Sequence, residues 1–424
     1  MLRVWYSTKS FADYIIDNTV LAQEKAKGGL LESKLAESDS NKPNDFHKMP
    51  DHIKKILYLD APDIIIEHNS EPILSIEISK EAGTGHNVFQ RFGRLVASVE
   101  NSVPAIYIYP EAVVIGRKTS SGMNYRWDPI NPNIFKALDS VMRIHQMPTL
   151  FYYFPSQYNN HKDSASNILG GLQQKGLLFD KNIVRYPDCP LATNTGMIEL
   201  FQLINLVVNR ALDSITRPAL LNERLIMDGI SWMQSEFARK GGHSGGLSPE
   251  SATIIIPTQA LLDYLRRKAA GANYQFGELL SKRQETVIYQ VDAKWRVDPY
   301  PGTLAAVDYL FCRNGKTFED RDRNLVLSWG ISELDENNVL KIVHRSRDVE
   351  TSVKDLFGSI NTVRSNRNKC LLNKRFEQLK NFEVPRYYMQ TRYGCSFTKS
   401  KDIRMYAYFA DAILFTDGAV WRDG

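Results

Sequence analysis

Residues 61–80, APDIIIEHNSEPILSIEISK, constrain the fold more than any other stretch of the chain. Two apolar runs, PDIII and ILSIEIS, flank the polar EHNSEP. β-Branched residues pack well on a pleated surface and turn-forming residues interrupt them, so the pattern predicts two strands joined by a turn. The second run carries Glu77 in its middle, among isoleucines. Strand side chains alternate faces, so Glu77 and Ser79 share one face while Ile76, Ile78 and Lys80 take the other. Asp63 starts the first strand, and the two carboxylates converge if the strands are neighbours. Carboxylates that close repel each other, and protonation or a bound cation relieves the repulsion. Oxygen ligands suit Mg²⁺ or Mn²⁺. Glu67, His68 and Glu71 are assigned to the strand edge and the turn.

Around this pair the elements alternate. Phe11, Tyr14, Ile15, Val20 and Leu21 recur at helical spacing and predict a helical region over 4–26. KGGLLESKLAESDSNKPND loses that periodicity and reads as a loop. VFQRFGRLVASVEN is expected to be a helix, VPAIYIYP a buried strand, NIFKALDSVMRIHQ a helix and TLFYYF a strand. This order predicts a mixed α/β fold, a central mixed sheet flanked by helices. A chain of 424 residues exceeds one compact core. The polar SQYNNHKDSASN reads as a linker, giving a domain over 1–157 and a larger mixed helical and α/β region over 168–424, divisible near 275.

Several classes are excluded. No apolar run is long enough to cross a membrane. The N-terminal MLRVWYSTKS lacks the basic-then-apolar pattern of a secretory signal. Four cysteines, far apart and without a CxxC pair, fit neither a disulfide framework nor a cysteine zinc site, and point to the cytoplasm. A net charge of +5 permits a nucleic-acid partner. The densest basic stretch, TVRSNRNKCLLNKRFEQLK, interleaves Arg364, Arg367, Lys369, Lys374 and Arg375 with asparagines. Lysine and arginine neutralise phosphates, and arginine and asparagine can read base edges. The same residues also suit a solvated helix face.

Pro62-Asp63, then Glu77-Ile78-Ser79-Lys80, then the helix with Gln90 and the strand VPAIYIYP, resemble the PD-(D/E)xK nuclease superfamily, which includes many restriction endonucleases. The resemblance covers roughly residues 50–155. It implies a restriction-endonuclease-like core in which Asp63 and Glu77 ligate Mg²⁺ or Mn²⁺ and Ile78 offers its backbone carbonyl. It further implies hydrolysis of phosphodiester bonds in double-stranded DNA. Ser79 stands where the family has lysine, and Lys80 lies one residue beyond it. Lys80 through a bulge, or Gln90 and Arg94 from the next helix, are the candidates to supply the missing function.

ETVIYQVDAKW offers a second acid-x-lysine pattern, Asp292-Ala293-Lys294, either a further nuclease-like unit or a surface ion pair. Three functional classes therefore stand. The chain is expected to be a metal-dependent DNA endonuclease of restriction type, by default a homodimer. Alternatively it is a non-catalytic DNA-binding protein that kept the fold, or a helical interaction module.

Overall fold

The structure, a computed structural model, describes residues 1–36, 48–79, 85–154, 186, 189–215, 217–242, 248–268, 278–291, 299–344, 386–387, 401–416 and 418–422. They group into two compact units. The first runs to Gly242 apart from Ser38–Lys48 and Tyr58–Asp60, which group with the second. The division falls inside GGHSGGLS rather than at 157–168, because the helices Thr195–Leu212 and Arg224–Lys240 pack against the strand Thr149–Phe154.

The first unit is built on a six-stranded sheet in the order β2-β1-β3-β4-β5-β8. Its strands are β1 Leu2–Tyr6, β2 Leu30–Lys34, β3 Ile64–His68, β4 Glu71–Ile78, β5 Ala105–Pro110 and β8 Thr149–Phe154. β6 Ala112–Thr119 and β7 Gly122–Pro129 form a separate hairpin. β3 runs antiparallel to both β1 and β4, whereas β4, β5 and β8 are mutually parallel. The helices are α1 Lys9–Asp17, α2 Leu21–Ala26, α3 Asp51–Leu57, α4 Phe92–Glu100, α5 Asn133–His145, α6 Thr195–Leu212 and α7 Arg224–Lys240. This is a mixed α/β architecture with a central mixed sheet and flanking helices.

Two sequence expectations are corrected. The chain before Ser7 is not helical but forms β1, whose alternate residues Leu2 and Val4 are buried against the core. The stretch read as a loop contains β2, paired in parallel with β1. Both strands are short, and neither shows enough alternation to outweigh the helical spacing that follows it.

The hairpin itself forms as the sequence predicts. Asn69 and Ser70 both have positive φ, 51° and 64°, the backbone that a two-residue turn between twisted strands requires. A bulge at Ile66/Glu67 then shifts the register, so that Ile64 pairs with Ile76. Ile65 shares the face of Ser75 and Glu77, on which α4 packs, while Ile64, Ile66, Leu74, Ile76 and Ile78 are buried on the opposite face. Gly196, in the first turn of α6, lies so close to the backbone carbonyl of Tyr153 on β8 that any Cβ would overlap it. Glycine there permits the helix to dock on the sheet.

The second unit has its own six-stranded sheet, β14-β16-β15-β11-β10-β9. The strands are β9 Thr253–Pro257, β10 Glu285–Val291, β11 Arg323–Trp329, β14 Arg386–Tyr387, β15 Ala412–Leu414 and β16 Ala419–Arg422, with a hairpin of β12 Ile331–Leu334 and β13 Leu340–Val343. Helices α8 Thr258–Lys268, α9 Glu278–Lys282, α10 Tyr300–Val307 and α11 Lys401–Phe409 accompany them. Four of these strands repeat the plan of the first unit. β9 and β10 are antiparallel, while β10, β11 and β15 are parallel, matching β3, β4, β5 and β8. In both units a helix separates the second strand from the third, and a hairpin and then a helix lie between the third and the fourth, with β14 intervening as well in the second unit.

Candidate functional site

The geometry at Asp63 follows from its neighbours on both sides. Ser7, just past the end of β1, donates its backbone N–H to the Asp63 carbonyl at 2.8 Å and its hydroxyl to the Pro62 carbonyl at 3.1 Å. The extra strand β1 thus fixes the residue just ahead of β3. The pairing of Ile64 with Ile76 extends one step to set Asp63 against Glu77. Glu77 is the penultimate residue of β4, not its centre, so the pair sits where the parallel strands end. Ligand sites of open α/β sheets gather beyond the carboxyl ends of the strands.

The two acids are bonded into one another's backbone. The N–H of Asp63 donates to Glu77 Oε2 at 3.2 Å, and the N–H of Ile78 donates to Asp63 Oδ2 at 2.9 Å. Two cations approach from the next element. Arg94 on α4 donates to Glu77 Oε1 at 2.7 Å, and Arg91 Nε lies 3.4 Å from the same oxygen. Arg91 and Arg94 are three residues apart across the start of α4, a spacing that puts side chains on a common face. The helix is fastened to the strand one turn further on, where Ser98 Oγ donates to Ser75 Oγ at 2.8 Å.

Glu77 has no exposed surface, whereas the Arg94 side chain keeps 11% and Arg91 25%. Burial pushes the Glu77 carboxyl up to about 8; Arg94 and Arg91 oppose that shift and the charge of Asp63 adds to it. Among the described residues, two guanidinium groups thus face the buried Glu77 carboxyl with Asp63 beside it, in a poorly solvated pocket where losing one partner of a pair is costly.

The donor set still suits a hard divalent cation, because Mg²⁺ is commonly held by one or two carboxylates together with water. Asp63 and Glu77 are the residues that would hold it, with the Ile78 carbonyl beside them. Among the described residues, no group of three or more His, Cys, Asp or Glu side chains forms a cage around a metal. The structure thus brings together Asp63, Glu77 and Ile78. Ser79 is buried and donates its N–H to the Ile108 carbonyl at 2.9 Å, which holds it within the strand line. Gln90 is half-buried in a 3₁₀ turn, Gly85–Arg91, that precedes α4 rather than in the helix itself. Lys80, Asp292, Lys294 and the basic residues Arg364, Arg367, Lys369, Lys374 and Arg375 lie outside the described residues.

Sequence reasoning missed two features. Arg91 carries no mark in the sequence beyond standing three residues before Arg94. Glu67 was assigned to the edge and turn, but β1 covers that edge. Glu67 is buried, accepting from Trp5 Nε1 at 2.7 Å and facing His52 Nε2 at 3.0 Å. Its signal was the Trp at position 5, hidden by the expectation of a helix there.

In the second unit, β9 is also preceded by a proline and an acid, Pro249-Glu250. A cleft of about 480 Å³ is lined by Lys282, Arg283, Arg321 and Arg323 together with acidic residues. Its buried arginines serve the fold. Arg321 donates to Asp308 at 2.7 Å, to Asp411 at 3.1 Å and to the Phe409 carbonyl at 2.8 Å. Arg313 donates to Asp308 at 3.0 Å, and both guanidinium groups lie over the Phe318 ring, 4.4 and 4.5 Å from its centroid. Among the described residues, no helix is long and apolar enough to cross a membrane. Compared with family models, curated proteins and solved structures, the chain matches none.

Proposed function

We propose that the chain is a Mg²⁺- or Mn²⁺-dependent DNA endonuclease of restriction type with a restriction-endonuclease-like core in its first unit. The observation that carries this reading is the placing of Asp63 opposite Glu77 at the carboxyl end of a mixed sheet. A strand pair, a helix and a parallel strand follow one another around that pair, the order the resemblance implies.

In this reading Asp63 and Glu77 hold the cation and Ile78 contributes its carbonyl. The bound ion supplies a lowered water pKa and neutralises charge on the phosphodiester. The chain's own residues do the rest. The Asp63 and Ile78 amides orient the carboxylates, and the nearly dry strand end strengthens every charge interaction made there. Ser79 cannot replace a lysine as a cation, so positive charge for the phosphate has to come from Lys80 or from the Gln90-to-Arg94 segment. Arg364, Arg367, Lys369, Lys374 and Arg375 would grip double-stranded DNA, with a homodimer serving a palindromic site.

The experiment is plasmid cleavage in Mg²⁺ and Mn²⁺ by the wild type, Asp63→Ala and Glu77→Ala. Cutting by the wild type alone is expected; equal cutting by all three sinks the assignment. The engagement of Glu77 by Arg94, together with Ser79 in place of lysine, favours a second reading, a DNA-binding protein that no longer cuts. Tight duplex binding without cleavage in either metal would select it.

A further inference from the structure

Glu77 Oε1 is the oxygen a divalent cation would need, and Arg94 already donates to it at 2.7 Å. Oε2 is turned toward the Asp63 amide. A cation at this place would sit within a few ångströms of a guanidinium that is itself almost wholly withdrawn from water. Two cations at that separation in a poorly solvated pocket repel strongly. Arg94 and a divalent ion are therefore mutually exclusive on Oε1.

We propose that Arg94 is an exchangeable counter-ion for Glu77. Entry of the divalent cation releases the guanidinium, and a DNA phosphate takes over as its partner. This rests on the reading of Asp63 and Glu77 as ion ligands. Arg94 is tied to the strand through Ser98 and Ser75, so once released it stays beside the acid pair. Loss of the Glu77 contact is costly for a nearly buried guanidinium, and the non-bridging oxygens of a phosphodiester match its fork of donors. Cation and phosphate then favour one another's binding: each relieves the charge imbalance that the other creates, and the coupling acts equally in both directions. Arg91, 3.4 Å from the same oxygen, makes a weaker version of the same contact.

The test is Mn²⁺ binding by electron paramagnetic resonance on the full chain, without turnover. The Glu77-dependent component is defined by subtraction of Glu77→Gln. Arg94→Gln is expected to tighten that component roughly tenfold, within the usual range of coupling between sites. Arg94→Lys keeps the positive charge and should stay near the wild type. A short duplex is expected to tighten Mn²⁺ binding by the wild type and to do so much less in Arg94→Gln. Arg91→Gln should give a smaller tightening and serves if Arg94→Gln does not fold. Unchanged or weakened Mn²⁺ binding in the Gln variants overturns the proposal, as does a wild type and variants with no Glu77-dependent component. A protein that shows the tightening yet never cuts DNA would retain the proposal and discard the endonuclease.

Discussion

The amide of Asp63 donates to the Glu77 carboxylate, while the amide following Glu77 donates back to Asp63. The two acids are held by backbone as well as by sequence position, so neither can swing away without breaking a strand-end hydrogen bond. That rigidity makes the cost of altering the pair specific.

Glu77→Ala removes the buried anion that Arg94 and Arg91 face. Removing one partner of a buried ion pair costs about 3–5 kcal/mol. Chemical denaturation should show a loss of that order for the transition of the first unit. The paired change Glu77→Gln with Arg94→Gln should cost clearly less, because no charge is left unmatched. Equal losses in the single and paired variants would mean that packing, not charge, holds the site.

Asp308 makes an acid-side prediction for the second unit. Burial pushes its carboxyl up, but Arg313 and Arg321 outweigh burial and hold it below the ordinary value of 3.8. A lowered folded pKa contributes stability above the unfolded value, and that contribution fades as pH falls through the folded one. Asp308→Asn is therefore expected to unfold more readily than the wild type at neutral pH. The gap between the two should narrow below about pH 4. A gap constant down to pH 2, followed by circular dichroism, would contradict the charge origin.

Gly330 carries a φ of +125°, and a Cβ there would approach Ile342 and the Val343 carbonyl to 2.9 Å. Strain of that kind costs of order 1–3 kcal/mol. Gly330→Ala should lower the midpoint of the second unit by several degrees while leaving the first unit's transition in place.

Salt dependence tests the basic stretch. Each phosphate contact contributes about 0.9 to the slope of log affinity against log salt for duplex DNA. Neutralising Arg364, Arg367 and Lys374 together should flatten the slope by up to about 2.7 if all three touch phosphate. An unchanged slope would assign that stretch to another role and favour the interaction-module reading.

Much of the site was legible in the residues. The alternation of ILSIEIS and the polar EHNSEP between the runs were enough to predict the hairpin and the meeting of Asp63 with Glu77. Less legible was what surrounds it. β1 was masked by helical spacing that begins at Phe11, and with it the burial of Glu67 beneath Trp5. The role of Arg94 at Glu77 depends on how α4 docks through Ser98 on Ser75, a tertiary contact that no local pattern encodes. The repeated strand plan was equally hidden, because β9 and β10 are separated by two helices where β3 and β4 are joined by a two-residue turn.

Tyr58 and Leu59 group with the second unit, where their carbonyls accept from buried Arg404, each at 3.1 Å. A ribosome makes Tyr58 and Leu59 roughly 350 residues before their partner. At about 5–20 residues per second, the segment waits roughly 20–70 s for the arginine that satisfies it. During that interval the carbonyls lack the guanidinium that binds them, while the first unit, which runs to Gly242, is completed. Synthesis of Arg404, rather than emergence of the first sheet, is thus the moment when these carbonyls can be satisfied. A fragment ending near Gly242 would carry the pair permanently without its arginine.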